Sequence, residues 1–201
     1  MKKSILPAIV SRALIVTTIL FLAAAAYAAE GQPLDQKSFD RITREVRHEL
    51  VMLPWYGVFD TLSYKVDPDG TVTLIGQVSP VRGPTLKSDA ENSVKRIEGV
   101  TNVVNNIEVL PVSPMDDRIR RATYRAIYSN SVLNQYQLRA VPPIHIIVKN
   151  GHVTLEGAVL REMEKQVAGV QANSVSGVFS VTNNLQVEEQ DKKQAKKEDK
   201  K

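Results

Sequence analysis

Gly70-Thr71-Val72-Thr73-Leu74-Ile75-Gly76-Gln77-Val78 returns later in the chain as Gly151-His152-Val153-Thr154-Leu155-Glu156-Gly157-Ala158-Val159, with six of the nine positions identical. A second pair follows in the same order. Gly99-Val100-Thr101-Asn102-Val103-Val104-Asn105-Asn106-Ile107-Glu108-Val109 matches Gly177-Val178-Phe179-Ser180-Val181-Thr182-Asn183-Asn184-Leu185-Gln186-Val187. Two blocks repeated in one order mark a duplicated structural unit.

Each copy reads as helix, strand, strand, helix, strand. In the first, Phe39, Ile42, Val46, Leu50 and Leu53 recur at spacings of three and four, giving one apolar helical face that Pro54 ends. The second repeats this weakly with Ile119, Ala122 and Ala126 behind a capping pair, Asp116-Asp117. Ile144, Ile146 and Val148 then alternate, Asn150-Gly151 supplies the two positive-φ residues of a tight turn, and Val153 and Leu155 alternate again, which specifies a hairpin. Leu62, Tyr64 and Val66 precede a longer turn, Asp67-Pro68-Asp69-Gly70, in the first copy.

The following helix is expected to turn Leu86, Ala90, Val94 and Ile97 inward in copy one, and Met163, Val167 and Val170 in copy two. Gly99 and Gly177 suit a left-handed helix end. A last strand alternates through Val103, Asn105, Ile107 and Val109, and through Val181, Asn183, Leu185 and Val187. A hairpin followed by a strand-helix-strand crossover makes a three-stranded mixed sheet with both helices on one face. The expected fold class is therefore α+β, as two tandem small modules over residues 36–110 and 115–188. Pro111-Val112-Ser113-Pro114 would be a short stiff linker between them. Residues 189–201 hold a single apolar side chain, Ala195, and are expected to be a disordered charged tail.

Met1-Lys2-Lys3 and Arg12 precede an apolar run and then Ala26-Tyr27-Ala28, the layout of a secretory signal cleaved after Ala28. The competing reading, an uncleaved anchor, has only the 14 residues from Ala13 to Ala26, against the roughly 20 that a spanning helix needs. There is no cysteine, so thiol, disulfide and lipid-thioether chemistry are excluded. Of 26 basic residues against 22 acidic ones, Lys2, Lys3 and Arg12 lie in the signal. A near-neutral mature chain argues against nucleic acid as partner.

The paired blocks Gly-x-Val-Thr-Leu-x-Gly-x-Val and Gly-Val-x-x-Val-x-Asn-Asn-x-x-Val, each within a helix-strand-strand-helix-strand unit, resemble the BON domain family. The resemblance implies a periplasmic, non-enzymatic binding module acting on phospholipid membranes and supporting the envelope under osmotic or other stress. The family's marked glycine matches Gly76 and Gly157, read as structural positions where backbone approaches closely.

No Gly-x-Ser-x-Gly, phosphate-cradling glycine loop or paired-histidine metal spacing occurs, so neither catalysis, a small-molecule substrate, a cofactor nor a metal is expected. His48, His145 and His152 read as surface residues, with His145 opposite Glu156 across the hairpin. At 100° per residue Arg118, Arg121, Arg125 and Tyr128 share one arc of the helix, with Tyr124 beside them, facing away from Ile119, Ala122 and Ala126. Lys37, Arg41, Arg44 and His48 form a second stripe. Guanidinium pairs well with phosphate and tyrosine suits the headgroup level, so the candidate lipid-binding residues are Arg118, Arg121, Tyr124, Arg125 and Tyr128 on an anionic bilayer. The aromatic segment Trp55, Tyr56, Val58, Phe59 has two readings: it closes the end of a core, or Trp55, Tyr56 and Phe59 form a patch for another envelope protein. The latter, or an exposed sheet edge, makes a periplasmic protein-interaction or chaperone-like adaptor the alternative function.

Overall fold

The computed structural model describes residues 34–188. The signal segment, its cleavage point and the charged tail from 189 onward lie outside the described residues. Two α+β modules follow one another. The first comprises α1 (Gln36–Val51), β1 (Thr61–Val66), β2 (Thr71–Val78), α2 (Gly83–Lys95) and β3 (Asn102–Val109). The second comprises α3 (Pro114–Tyr128), a 3-10 turn (Asn134–Leu138), β4 (Ile144–Lys149), β5 (His152–Val159), α4 (Glu162–Asn173), β6 (Ser180–Asn183) and β7 (Gln186–Val187).

In each sheet the middle strand pairs antiparallel with its predecessor and parallel with its successor. The hairpin demands the first arrangement and the helical crossover the second. The parallel strand of the second module is split, because Asn184 and Leu185 interrupt it between β6 and β7. Asn150 and Gly151 both take positive φ, 54° and 80°, and the resulting register sets Lys149 against His152 and His145 against Glu156, as the Asn-Gly turn predicts. The turn of the first copy closes with Asp67 N–H donating to Thr71 O at 2.8 Å and Gly70 at φ 85°.

Asp35 caps α1 by accepting from Ser38 N–H at 3.2 Å, and Ile42, Val46 and Leu50 pack beneath it on Val72, Leu74, Leu86 and Ile107. The first copy's apolar phases thus hold. In the second they shift. Pro114, assigned above to the linker, is the opening residue of α3, where its missing N–H is no loss. The cap of α3 is Ser113, which accepts from Asp116 N–H at 3.2 Å, and not the Asp116-Asp117 pair. Its buried face is Ile119, Thr123 and Ile127 with Asp116 and Arg120, while Ala122 and Ala126 are half-buried. Helix α4 turns Glu164, Ala168 and Ala172 inward and leaves Met163 and Val170 exposed. Small alanines let α4 lie close on the sheet, and the Glu164 carboxylate is satisfied there by Tyr136 O–H at 2.7 Å and the N–H groups of Leu160 and Arg161, each at 3.0 Å.

The two modules are docked. Val58 and Phe59, from the loop between α1 and β1, pack on the core of the second module. Ile146 N–H in β4 donates to Val58 O at 2.8 Å. Ile144, Ile146 and Val148 point into their own core, whereas Ile147 points to the opposite face of the sheet yet is 2% exposed. Leu110, at the end of β3, is equally buried and belongs to neither module's core cluster, so both side chains are seam residues.

Candidate functional site

Helix α3 carries the candidate site because its two faces do different jobs. Inward, Asp116 is 1% exposed and its carboxylate accepts from the N–H groups of Asn150 and Gly151 at 3.0 and 2.8 Å. Arg120 is buried, ion-paired with Asp117, and donates to Val148 O at 2.6 Å. These two charged residues fasten the helix to the hairpin; the repeat pattern gave no sign of them. Outward, Arg118, Arg121 and Arg125 are exposed, and among the described residues none forms an ion pair with a carboxylate.

The tyrosines divide. Tyr124 is half-buried between the rings of Phe59 and Tyr128, with centroids 6.1 and 4.8 Å away. Tyr128 is 2% exposed and its hydroxyl donates to Ile144 O at 2.7 Å. Burial pushes its pKa upward. It is a core residue and leaves the interfacial set; the 100° projection fails there because the helix end tucks under β4.

Between α3, residues 137–142 and Phe59 of the first module lies a cleft of about 590 Å³. Arg121, Arg125 and Arg139 line it together with Tyr124, Phe59 and Pro142. Gln137 Nε2 donates to Tyr124 Oη at 3.3 Å. Arg139 escaped the sequence reading because it lies in an aperiodic stretch after the 3-10 turn.

The second basic stripe is less available. Arg41 is bonded to Glu45 at 3.1 Å and donates to Glu98 O at 2.8 Å, while Lys37, Arg44 and His48 are exposed.

The aromatic segment is mostly spoken for within the chain. Tyr56 stacks on His145 with ring centroids 5.4 Å apart, and burial raises its pKa to about 12. Trp55 is 58% exposed, holds φ 73°, and carries the Arg82 guanidinium 3.5 Å above its ring. His145, expected at the surface, is instead 9% exposed and hydrogen-bonded to Gly57 O at 3.3 Å. The first module covers it. Burial depresses its pKa, opposed by Gly57, Asp60 and Glu156. Asp60, buried beside it, accepts from Ser79 N–H at 2.7 Å and Gly57 N–H at 3.1 Å, and desolvation raises its pKa.

Gly76 and Gly157 hold φ of 144° and 111°, and a Cβ there would fall 2.1 Å from Thr61 O or 1.9 Å from Pro143 O. Both lie inside their strands, β2 and β5, where the carbonyl of the first residue of β1 or of the residue just before β4 comes close. Among the described residues no cluster of three or more His, Asp or Glu suits a metal ion, and no helix is long and apolar enough to cross a membrane.

The chain is thus one α+β module repeated in tandem, each copy with a charged outer face on its first helix. The chain belongs to the BON domain family, which matches residues 40–111 and again residues 117–189. None of the curated proteins matches it. Among solved structures, the chain is similar to the C-terminal domain of CdsD, the structural protein of the type III secretion system of Chlamydia trachomatis. That match has 14% identity and a TM-score of 0.29, and covers 77% of this chain and 99% of that one. A second CdsD structure gives 13% identity and a TM-score of 0.27, covering 78% and 97%.

Proposed function

We propose that this chain is an exported, non-catalytic binding protein of the periplasm that associates peripherally with anionic phospholipid membranes and supports the envelope under osmotic or other stress. The observation that carries the reading is the outer stripe of α3. Arg118, Arg121 and Arg125 are exposed without carboxylate partners among the described residues, and apart from the contact of Arg118 with Met115 Sδ at 2.7 Å their guanidinium groups are open to phosphate oxygens. Each such residue contributes about 1 kcal/mol near an anionic surface. Tyr124 lies beside the stripe. Membership of the BON family and the secretory layout of residues 1–28 support the same reading. Of the adaptor alternative's aromatic patch, Tyr56 and Phe59 face the chain's own second module, while Trp55 is exposed under the Arg82 guanidinium.

Co-sedimentation with neutral and anionic vesicles, at low and physiological salt, tests this. The reading expects binding to anionic vesicles alone, weakening as salt rises. Binding to neither, or binding that salt leaves unchanged, contradicts it. Export is tested separately by the mass of the protein recovered from bacterial periplasm, which should begin at Ala29.

A further inference from the structure

The inner side of the arginine stripe opens into the seam cleft, and the cleft differs from a flat charged face in three respects. Arg121 and Arg125 from α3 meet Arg139 from the far wall around one space, and no carboxylate lines it. The floor is apolar and aromatic, from Val58, Phe59 and Tyr124. Finally, Tyr124 Oη already accepts a hydrogen bond from Gln137, so its own proton is left to donate.

Three planar guanidinium forks around one space match a phosphate group, whose non-bridging oxygens, two in a diester and three in a monoester, sit on a tetrahedral centre and accept from several directions, better than they match a carboxylate, whose two oxygens lie in one plane. The volume, about 590 Å³, lies within the range of small-ligand sites, roughly 300–1,000 Å³, whose walls are mostly apolar with a few convergent polar groups. We propose that the seam cleft binds one phosphate ester, with Arg121, Arg125 and Arg139 on the phosphoryl oxygens and Phe59 with Tyr124 against the substituent. The site is composite. Phe59 and Val58 come from the first module, and Val58 is held in place by the bond from Ile146 N–H, so a bound ester favours the docked arrangement. This deepens the membrane reading, on which it rests only for the source of the ester, a phospholipid headgroup or a soluble phosphate ester.

The test is calorimetric titration of the purified chain with glycerol 3-phosphate and with dihexanoylphosphatidylglycerol below its micellar concentration, beside sedimentation with phosphatidylglycerol vesicles. Saturable one-to-one binding of the short-chain lipid is expected, at least tenfold weaker in R139A and within twofold of the parent in R118E, because Arg118 lies outside the cleft. Arg139 is exposed, so its replacement spares the fold, and an unchanged urea midpoint verifies that. No saturable binding of either ester, or equal binding by R139A, overturns the cleft even if vesicles still bind the protein through Arg118 and its neighbours. A protein that ignores vesicles ends the membrane reading but upholds the cleft if either ester saturates it: binding of glycerol 3-phosphate assigns it a soluble ester, and binding of the short-chain lipid alone a phospholipid headgroup.

Discussion

The amide of Ile146 donates to the carbonyl oxygen of Val58 at 2.8 Å, joining the first strand of one module to a loop of the other. An edge strand with free N–H and C=O groups invites pairing with other chains. Here Val58 takes one N–H of that edge while Tyr128 and Arg120 of α3 take the carbonyls of Ile144 and Val148, and the same loop sends Tyr56 onto His145 and Phe59 onto Tyr124. The duplication therefore yields one docked unit in which residues of each module complete surfaces of the other.

Acid should loosen this seam. Burial holds His145 below its ordinary value of 6.5, so below that pH the unfolded chain takes up a proton that the folded chain resists. Stability present above 6.5 is then lost as pH falls toward the folded value. Asp60, with its pKa raised by burial, works in the opposite sense in the carboxylate range, where the folded state protonates first. The urea midpoint should fall between about pH 7.5 and about pH 5.5, and H145Q should flatten that slope. A slope indifferent to H145Q removes the histidine from the account.

Alanine at Gly157 should cripple the second module. The added Cβ would meet the Pro143 carbonyl at 1.9 Å with φ at 111°, a clash with backbone that no side-chain rotation relieves. The expected loss is at least about 3 kcal/mol, and G76A should resemble it because of the Thr61 carbonyl at 2.1 Å. Gly57 is the control. It lies at ordinary contact distance from its neighbours, the nearest atom at 3.7 Å, so G57A should stay within about 1 kcal/mol of the parent in urea denaturation.

Removing the Asp116 carboxylate strands the buried N–H of Gly151 and frees the half-buried N–H of Asn150. D116A should lose about 2–3 kcal/mol in urea. D116N retains one acceptor oxygen and should fall between D116A and the parent. Equal midpoints for all three proteins would show that water satisfies the hairpin unaided.

The repeat, the hairpin register and the two close-approach glycines were legible because backbone conformation and a period of two are written locally. Asn150-Gly151 dictates which residues face each other regardless of what lies beyond. Helix phases in the second module were less so. Asp116, Arg120 and Glu164 look like surface residues in one dimension, and only their distant partners, Gly151, Val148 and Tyr136, make burial affordable. Met163 and Val170 were expected inside on hydrophobicity alone, yet Ala168 and Ala172 win that face because close helix-sheet approach needs small side chains. The seam was invisible for a different reason: His145 and Gly57 are 88 residues apart, and no periodicity links them. Hence Arg118, Arg121 and Arg125 could be placed on one stripe, whereas Arg139 and the cleft could not.

The central claim is that the outer face of α3 holds the protein to anionic membrane. Its most direct test is the triple variant R118E/R121E/R125E on anionic vesicles at low salt, with the urea midpoint measured alongside. Loss of three cations near the surface is worth about 3 kcal/mol, on the order of a 100-fold weaker partition, and the added negative charge deepens the loss. The account predicts that drop with an unchanged midpoint, since all three side chains are exposed. Vesicle binding equal to the parent's, in a folded variant, would contradict it.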